Sequence, residues 1–276
     1  MTSLAPRPQL LIGARSYFRE LWQRREFAWY LAMGNLKARN ASTALGLMWW
    51  VLNPLILGGI YVLVFGAILH VSRGQPDYLA YLLAGMFAFS YTRGAMVGGV
   101  NVLIANLRMV ANLKFPRLIL PFAALVEAAV GFMTSVAAFY LIVWPFNGVH
   151  PTRVVWLLIP AFLIHTVFNF GLGAASARLA VPFRDVNNLI PYVLRLWLYL
   201  TPIIYPLSFV ENMGDTARTF AEANPLFSII AMYRAALLGY PLEMHLVWAA
   251  VAWAVGILVV AVYAFVRYEG RMAKYV

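Results

Sequence analysis

Long apolar runs alternate with short polar or basic stretches along this chain. A helix that crosses a membrane needs about 20 predominantly apolar residues. Six stretches meet that requirement: Thr43–Leu69, Tyr78–Asn106, Pro116–Trp144, Val154–Ala177, Val186–Tyr205 and Glu243–Val266. Ahead of them, in Pro8–Tyr30, Leu10, Leu11, Ala14, Tyr17, Phe18, Leu21 and Trp22 recur at helical spacing among Arg15, Arg19, Arg24 and Arg25. That spacing predicts an amphipathic helix, lying on the membrane with its arginines toward anionic headgroups or packed on a partner.

Pro206–Leu242 breaks the pattern of spans. Its first part is polar, with Glu211, Asp215, Arg218 and Glu222. Leu226–Leu238 is apolar, but as a helix it covers only about 20 Å of the ~30 Å hydrocarbon layer. Asn224-Pro225 stands just before it as a helix-start signal. The segment reads as two short outer-face helices or a re-entrant hairpin shielded by protein. The fold class expected is therefore an all-α membrane protein. It has a single transmembrane domain over residues 1–276, with an interface helix at 8–30, spans at 43–69, 78–106, 116–144, 154–177, 186–205 and 243–266, and an outer segment at 206–242.

Composition strengthens this reading. Hydrophobic residues make up 63% of the chain and charged residues 11%, against roughly 45–50% and 25% in soluble domains. The mean hydropathy is +0.76. The net charge of +11 is dispersed over short loops, which points to the positive-inside rule rather than to nucleic acid. With the N-terminus inside, Lys and Arg outside the membrane are confined to Arg73, Arg153, Arg218 and Arg234; Arg93 and Arg195 lie within spans, and the rest fall inside. Both termini are thus expected in the cytoplasm. The first 39 residues contain no apolar core ahead of a small-residue cleavage site, so no cleaved signal is expected. With no cysteine in the chain, thiol chemistry is excluded.

Three charges fall inside the spans. Arg93, Glu127 and Arg195 lie about 14–20 Å above the inner ends of their helices at 1.5 Å per residue. Unpaired ions there cost a few kcal/mol, so either Glu127 pairs with one of the arginines or these charges face a hydrated pathway. His165 reads as a hydrogen-bonded residue of the bundle, and Gly94 and Gly98 as a close-packing pair. Trp50, Asn53, Leu57 and Tyr61 share one face of the first span, and Tyr192, Arg195 and Tyr199 one face of the fifth. Tyr192 and Tyr199 lie deeper than interfacial anchors. A sugar polymer needs flat faces for stacking and hydroxyls for hydrogen bonding, so these faces are candidate channel lining.

Other chemistries are missing. No phosphate-cradling G-x-x-x-x-G-K-[ST] loop occurs, and none of the lysines, Lys37, Lys114 and Lys274, follows a glycine. Neither H-E-x-x-H nor G-x-S-x-G is present. Acidic residues are too sparse on the outer side for a membrane transferase. No metal site is expected.

Several segments, taken in order, resemble one family. Leu45-Gly46-Leu47-Met48-Trp49 with Asn53-Pro54, Asn106–Arg117 ending in Phe115-Pro116-Arg117, and Arg184-Asp185 before the fifth span make up the first half. Thr201-Pro202-Ile203-Ile204-Tyr205-Pro206, then Asn224-Pro225-Leu226, Tyr233-Arg234 and Gly239-Tyr240-Pro241, make up the second. Together they resemble the ABC-2-type permeases that export O-antigen, capsule, wall teichoic acid or wall galactan, a type V-like exporter fold. Phe87 or Phe89 stands where many members have Trp, and Asn112 replaces a loop lysine.

The resemblance implies a homodimer with a pathway lined by the first and fifth spans, and a separate ATPase, in two copies, that holds ATP and Mg. This chain would bind no cofactor and be no enzyme. Arg108, Met109, Asn112, Lys114, Phe115, Pro116 and Arg117 would form the coupling helix against that ATPase, with Arg184 and Asp185 nearby. Tyr205, Asn224, Tyr233 and Arg234 would belong to an outer gate. Arg15, Arg19, Arg24 or Arg25 would receive the diphosphate of a polyprenyl-linked glycan. The function expected is the inner-membrane permease subunit of a polysaccharide exporter. The rivals are an ABC-2 permease for a drug or small lipid, and a secondary transporter, for which only Glu127 could carry the driving ion.

Overall fold

The computed structural model describes residues 14–40, 43, 45–61, 63–64, 68, 77–106, 109, 115–147, 153–183, 185–206, 209–210 and 212–272, and no strand occurs among them. The helices are α1 (Ala14–Gln23), α2 (Arg25–Asn40), α3 (Trp49–Tyr61), α4 (Tyr78–Ala105) and α5 (Ile119–Asn147), followed by α6 (Leu158–Ala180), α7 (Val186–Leu200), α8 (Asp215–Glu222), α9 (Pro225–Leu238) and α10 (Met244–Met272). Three of them contain stretches long and apolar enough to cross a membrane: Ile119–Tyr140, Val155–Ala180 and Met244–Tyr268.

α4, with 28 residues, is the central pillar. Its first half is apolar on every side, as a helix segment surrounded by others must be, and residues 81–89 are all buried. α5 and α6 pack along it, α10 packs on α6, and α3 and α7 lie against its remaining side. Small residues set these distances. A Cβ on Gly94 or Gly98 would stand 3.0 or 3.1 Å from the Cβ of Ala128 or Ala124 on α5. One on Gly99 would run into the backbone of Gly173 on α6. Such contacts suit helices in lipid, where close van der Waals packing holds the bundle.

Two apolar cores result. The larger joins α4, α5, α6 and α9 around Phe87, Tyr91, Phe132, Phe139 and Phe168. The second lies at the Ala105 end of α4. There Ala28 of α2 meets Val102, Leu103, Leu118, Ala123, Ala177 and Phe265. Phe87 and Phe89 are buried in the first core, so neither forms an outer or channel wall.

The first helix differs from expectation. Instead of one amphipathic helix over 8–30, the chain breaks at Arg24 and continues in α2 to Asn40. α2 packs on α5 through Ala28, Ala32 and Leu36. α7 has 15 residues, shorter than the stretch expected, because it ends in the turn at Thr201–Tyr205.

α9 follows its local sequence closely. The Asn224 side chain accepts the Leu226 N–H at 3.0 Å, Pro225 takes the first turn, and Gly239 ends the helix at φ 74°. These are the cap, start and stop residues a short helix needs.

Candidate functional site

Three places gather the residues singled out above. The first is an uncovered face. On α7, Ile190, Leu194 and Leu198 are buried against the bundle. The opposite face carries Tyr192, 67% exposed, and Tyr199, 50% exposed, with Arg195 also exposed between them. α3 leaves Asn53, Ile56 and Ile60 exposed. Trp50 and Tyr61 lie on α3, with side chains outside the described residues. Both helices are mounted on α4, so two polar-aromatic surfaces stand on a rigid support.

Arg93 is exposed too. The ion pair expected between Glu127 and Arg93 or Arg195 does not form within the chain: among the described residues, neither arginine has a salt bridge. Equal depth was not enough, because both arginines point away from the bundle. Glu127 instead accepts the Asn35 amide N–H of α2 at 2.7 Å.

The second place is the turn beyond α7. Arg234, only 7% exposed, donates from Nη2 to the Pro202 carbonyl at 2.8 Å and lies 3.3 Å over the Tyr81 ring. It is a buried brace, not a free outer charge. Tyr78 OH donates to the Ile204 carbonyl at 2.5 Å, and Tyr81 OH to that of Pro202 at 3.2 Å. Tyr205 OH donates to the Tyr199 carbonyl at 3.1 Å. Asn224 completes the clasp: its Oδ1 accepts Trp197 Nε1–H at 2.9 Å and its amide donates to Thr201 Oγ1 at 2.8 Å. These bonds tie the start of α4, the end of α7 and α9 to one another.

Tyr233 lies below this clasp, in the core. Its hydroxyl meets His165 Nδ1 at 3.2 Å, and His165 Nε2 meets Thr92 Oγ1 at 2.8 Å. The histidine is thereby satisfied on both ring nitrogens. Tyr78, Tyr81, Thr92 and Trp197 escaped the sequence reading; the spacing of Tyr78 and Tyr81, three apart at a helix start, was the only hint of a shared partner.

The third place is the end where α1 and α2 meet α5. Tyr17 OH accepts the Leu118 N–H at 3.4 Å, and the Phe27 and Phe115 rings lie 6.1 Å apart. Met109 and Phe115 pack on the second core. Pro116 is buried, and its carbonyl accepts the Ile119 N–H at 3.0 Å, opening α5. Arg117 is half-buried and Asp185 exposed ahead of α7. Arg108, Asn112, Lys114 and Arg184 lie outside the described residues. On α1 and the break after it, Arg19, Arg24 and Arg25 are exposed. Arg24 pairs with Glu20 at 3.0 Å, and Arg25 sits 5.1 Å over the Trp22 ring. The Arg15 side chain is outside the described residues.

Comparison with known proteins decides the family. Residues 26–238 match the ABC-2 type transporter family. The chain belongs to that family. Among ABC-2 relatives, it is 29% identical over 218 residues to the O-antigen export system permease protein RfbA of Myxococcus xanthus, covering 79% of this chain and 82% of that one. An RfbA of Klebsiella pneumoniae is 26% identical over 202 residues, 72% and 75% of the two chains. The polysialic acid transport protein KpsM of Escherichia coli is 23% identical over 220 residues, 76% and 81%. The match takes in α2 through α9, and with them the uncovered face, the clasp and the Phe115–Arg117 segment, but not α1.

Proposed function

We propose that this ABC-2 protein is the permease subunit of an ATP-driven exporter that moves a polyprenyl-diphosphate-linked polysaccharide out of the cytoplasm. The observation that carries the proposal is the exposed stripe of Tyr192, Arg195 and Tyr199 on α7, beside the exposed Asn53 face of α3. An arginine facing hydrocarbon costs a few kcal/mol, and α4 and α7 each expose one. A second copy of the chain across a hydrated seam removes that cost. It also builds a passage whose aromatic faces stack sugars and whose hydroxyls hydrogen-bond them. The relatives, named for O-antigen export and polysialic acid transport, support the cargo class.

In this reading α3, α4, α5, α6, α7 and α10 supply six spans in the inner membrane, with both termini in the cytoplasm. Residues 106–117 dock on a separate ATPase, two copies per homodimer, which holds ATP and Mg. ATP hydrolysis belongs to that chain. Because Phe115, Tyr17 and Leu118 share one core, a push on the docking segment passes to α1, α2 and α5 together. A ligand shifts only an equilibrium between states it binds differently, and here the two states are two arrangements of the seam. The 206–242 segment caps the outer mouth, its clasp tying gate movement to α7. Arg19 and Arg25, with Arg15 and Arg24, receive the cargo's diphosphate at the inner surface.

The chain has no native cysteine, so single substitutions test the seam cleanly. Tyr199→Cys in membranes should cross-link to a second copy, and the cross-link should stop export. A Tyr199→Cys chain that stays monomeric while cysteines on the exposed face of α10 cross-link instead would refute the seam.

A further inference from the structure

Between them, α6 and α10 enclose an open groove of about 720 Å³. The helices touch backbone to backbone at Gly171, where an added Cβ would stand 2.8 Å from Leu258 N. Beside that contact, small residues form the groove: Ala175 on α6, and Ala252, Gly256 and Ala264 on α10. Trp253 and Leu179 wall it. From Ala249 to Ala264 the lining on α10 extends about 22 Å at 1.5 Å per residue, more than the ~15 Å of hydrocarbon in one leaflet.

The groove is apolar except at one end, where Arg178 lines it. That guanidinium lies 4.5 Å over the Tyr268 ring and makes no ion pair among the described residues. One turn beyond Ala264, on the same helix face, is Arg267, exposed and hydrogen-bonded to Tyr263 OH at 2.5 Å. A long apolar trough ending in two arginines that make no ion pair among the described residues matches one occupant in its charge distribution: an acyl chain carrying an anionic headgroup.

We propose that this groove holds an anionic glycerophospholipid of the inner leaflet, its chain along Gly256 and its phosphate on Arg178 and Arg267. The placement in the inner leaflet rests on the sidedness proposed above. The lining residues lie on α6 and α10 and none on α3 or α7, so the groove serves the bundle as a site for a bound structural lipid rather than as the route of the cargo.

Native mass spectrometry tests this on the purified full chain, released from nanodiscs holding equal phosphatidylglycerol and phosphatidylcholine. Preferential retention of phosphatidylglycerol is expected, and Arg178→Gln should reduce that preference about fivefold, the worth of one basic residue near an anionic surface. Gly256→Leu should reduce retention of both lipids. Nothing lies within 4 Å of a Cβ built at Gly256, so the new side chain grows into the groove. Ala252→Trp is the second filling variant. Equal retention of the two lipids by the parent chain, or unchanged retention in Arg178→Gln and both filling variants, would overturn the proposal. So would displacement of phosphatidylglycerol by added polyprenyl phosphate, which would make the groove a cargo site. No ATPase and no export enter these readouts, so failure of the transport reading leaves the lipid test intact.

Discussion

Replacing Asn224 with alanine is expected to loosen the clasp between α7 and α9, and the structure sets the scale. The side chain does three things: it caps α9 at Leu226 N, 3.0 Å away, accepts the Trp197 indole N–H at 2.9 Å, and donates to Thr201 Oγ1 at 2.8 Å. Loss of an Asn cap costs about 1 kcal/mol. A half-buried indole N–H left without an acceptor costs about 1–3 kcal/mol. Thr201 keeps its own bond to the Trp197 carbonyl at 2.8 Å, so its share is small. Asn224→Ala should therefore destabilise by about 2–4 kcal/mol. Asn224→Asp keeps an oxygen for the cap and the indole and should lose less than half of that. SDS-driven unfolding of the purified protein measures the total. Hydrogen exchange at 201–206 and 224–228 locates it, and both segments should exchange faster in Asn224→Ala. If the two variants unfold alike, or if exchange rises at α9 alone, the clasp does not join α7 to α9 and the reasoning fails.

Three further outcomes follow from the same contacts. Gly99→Ala should push α4 from α6, because the new Cβ meets the Gly173 backbone; overpacking of this kind costs about 1–3 kcal/mol, and thermal unfolding that matches the parent would contradict it. Tyr192→Ala and Tyr199→Ala should cut export while leaving the unfolding of the isolated chain unchanged, since both rings are exposed, and Tyr→Phe variants should retain part of the activity through stacking. A paired export and stability measurement that shows stability falling first would place these rings in the fold instead of the passage. Arg218→Gln should change stability by less than about 1 kcal/mol, because the 2.7 Å pair with Glu222 lies on an exposed surface; a larger loss in the same unfolding assay would give α8 a structural weight that its few contacts do not suggest.

Much of the helix pattern was legible because bilayer solvation demands long apolar runs, and α5, α6 and α10 carry them. The start of α9 was legible because Asn224 and Pro225 act locally. α2 was not, because the positions it buries against α5 are Ala28, Ala32 and Leu36, two of them too small to mark a face by hydropathy. The site residues divide along the same line. The stripe Tyr192–Arg195–Tyr199 needed only helical spacing. Arg234 and Tyr233 needed tertiary contacts: each looked like an outer-segment residue, yet Arg234 braces Pro202 and Tyr233 meets His165. The Arg93–Glu127–Arg195 grouping failed because depth along a helix was readable and rotation around it was not; Asn35, on a helix whose extent was missed, reaches Glu127.

The central claim is that this chain exports a lipid-linked glycan, and depletion tests it most directly. Cells depleted of the protein are profiled for polyprenyl-linked sugars by mass spectrometry, beside cells depleted and then complemented. The account predicts that one long lipid-linked glycan accumulates inside the depleted cells and disappears on complementation. An unchanged lipid-glycan pool, with the protein gone, would contradict the account and favour a drug or small-lipid cargo.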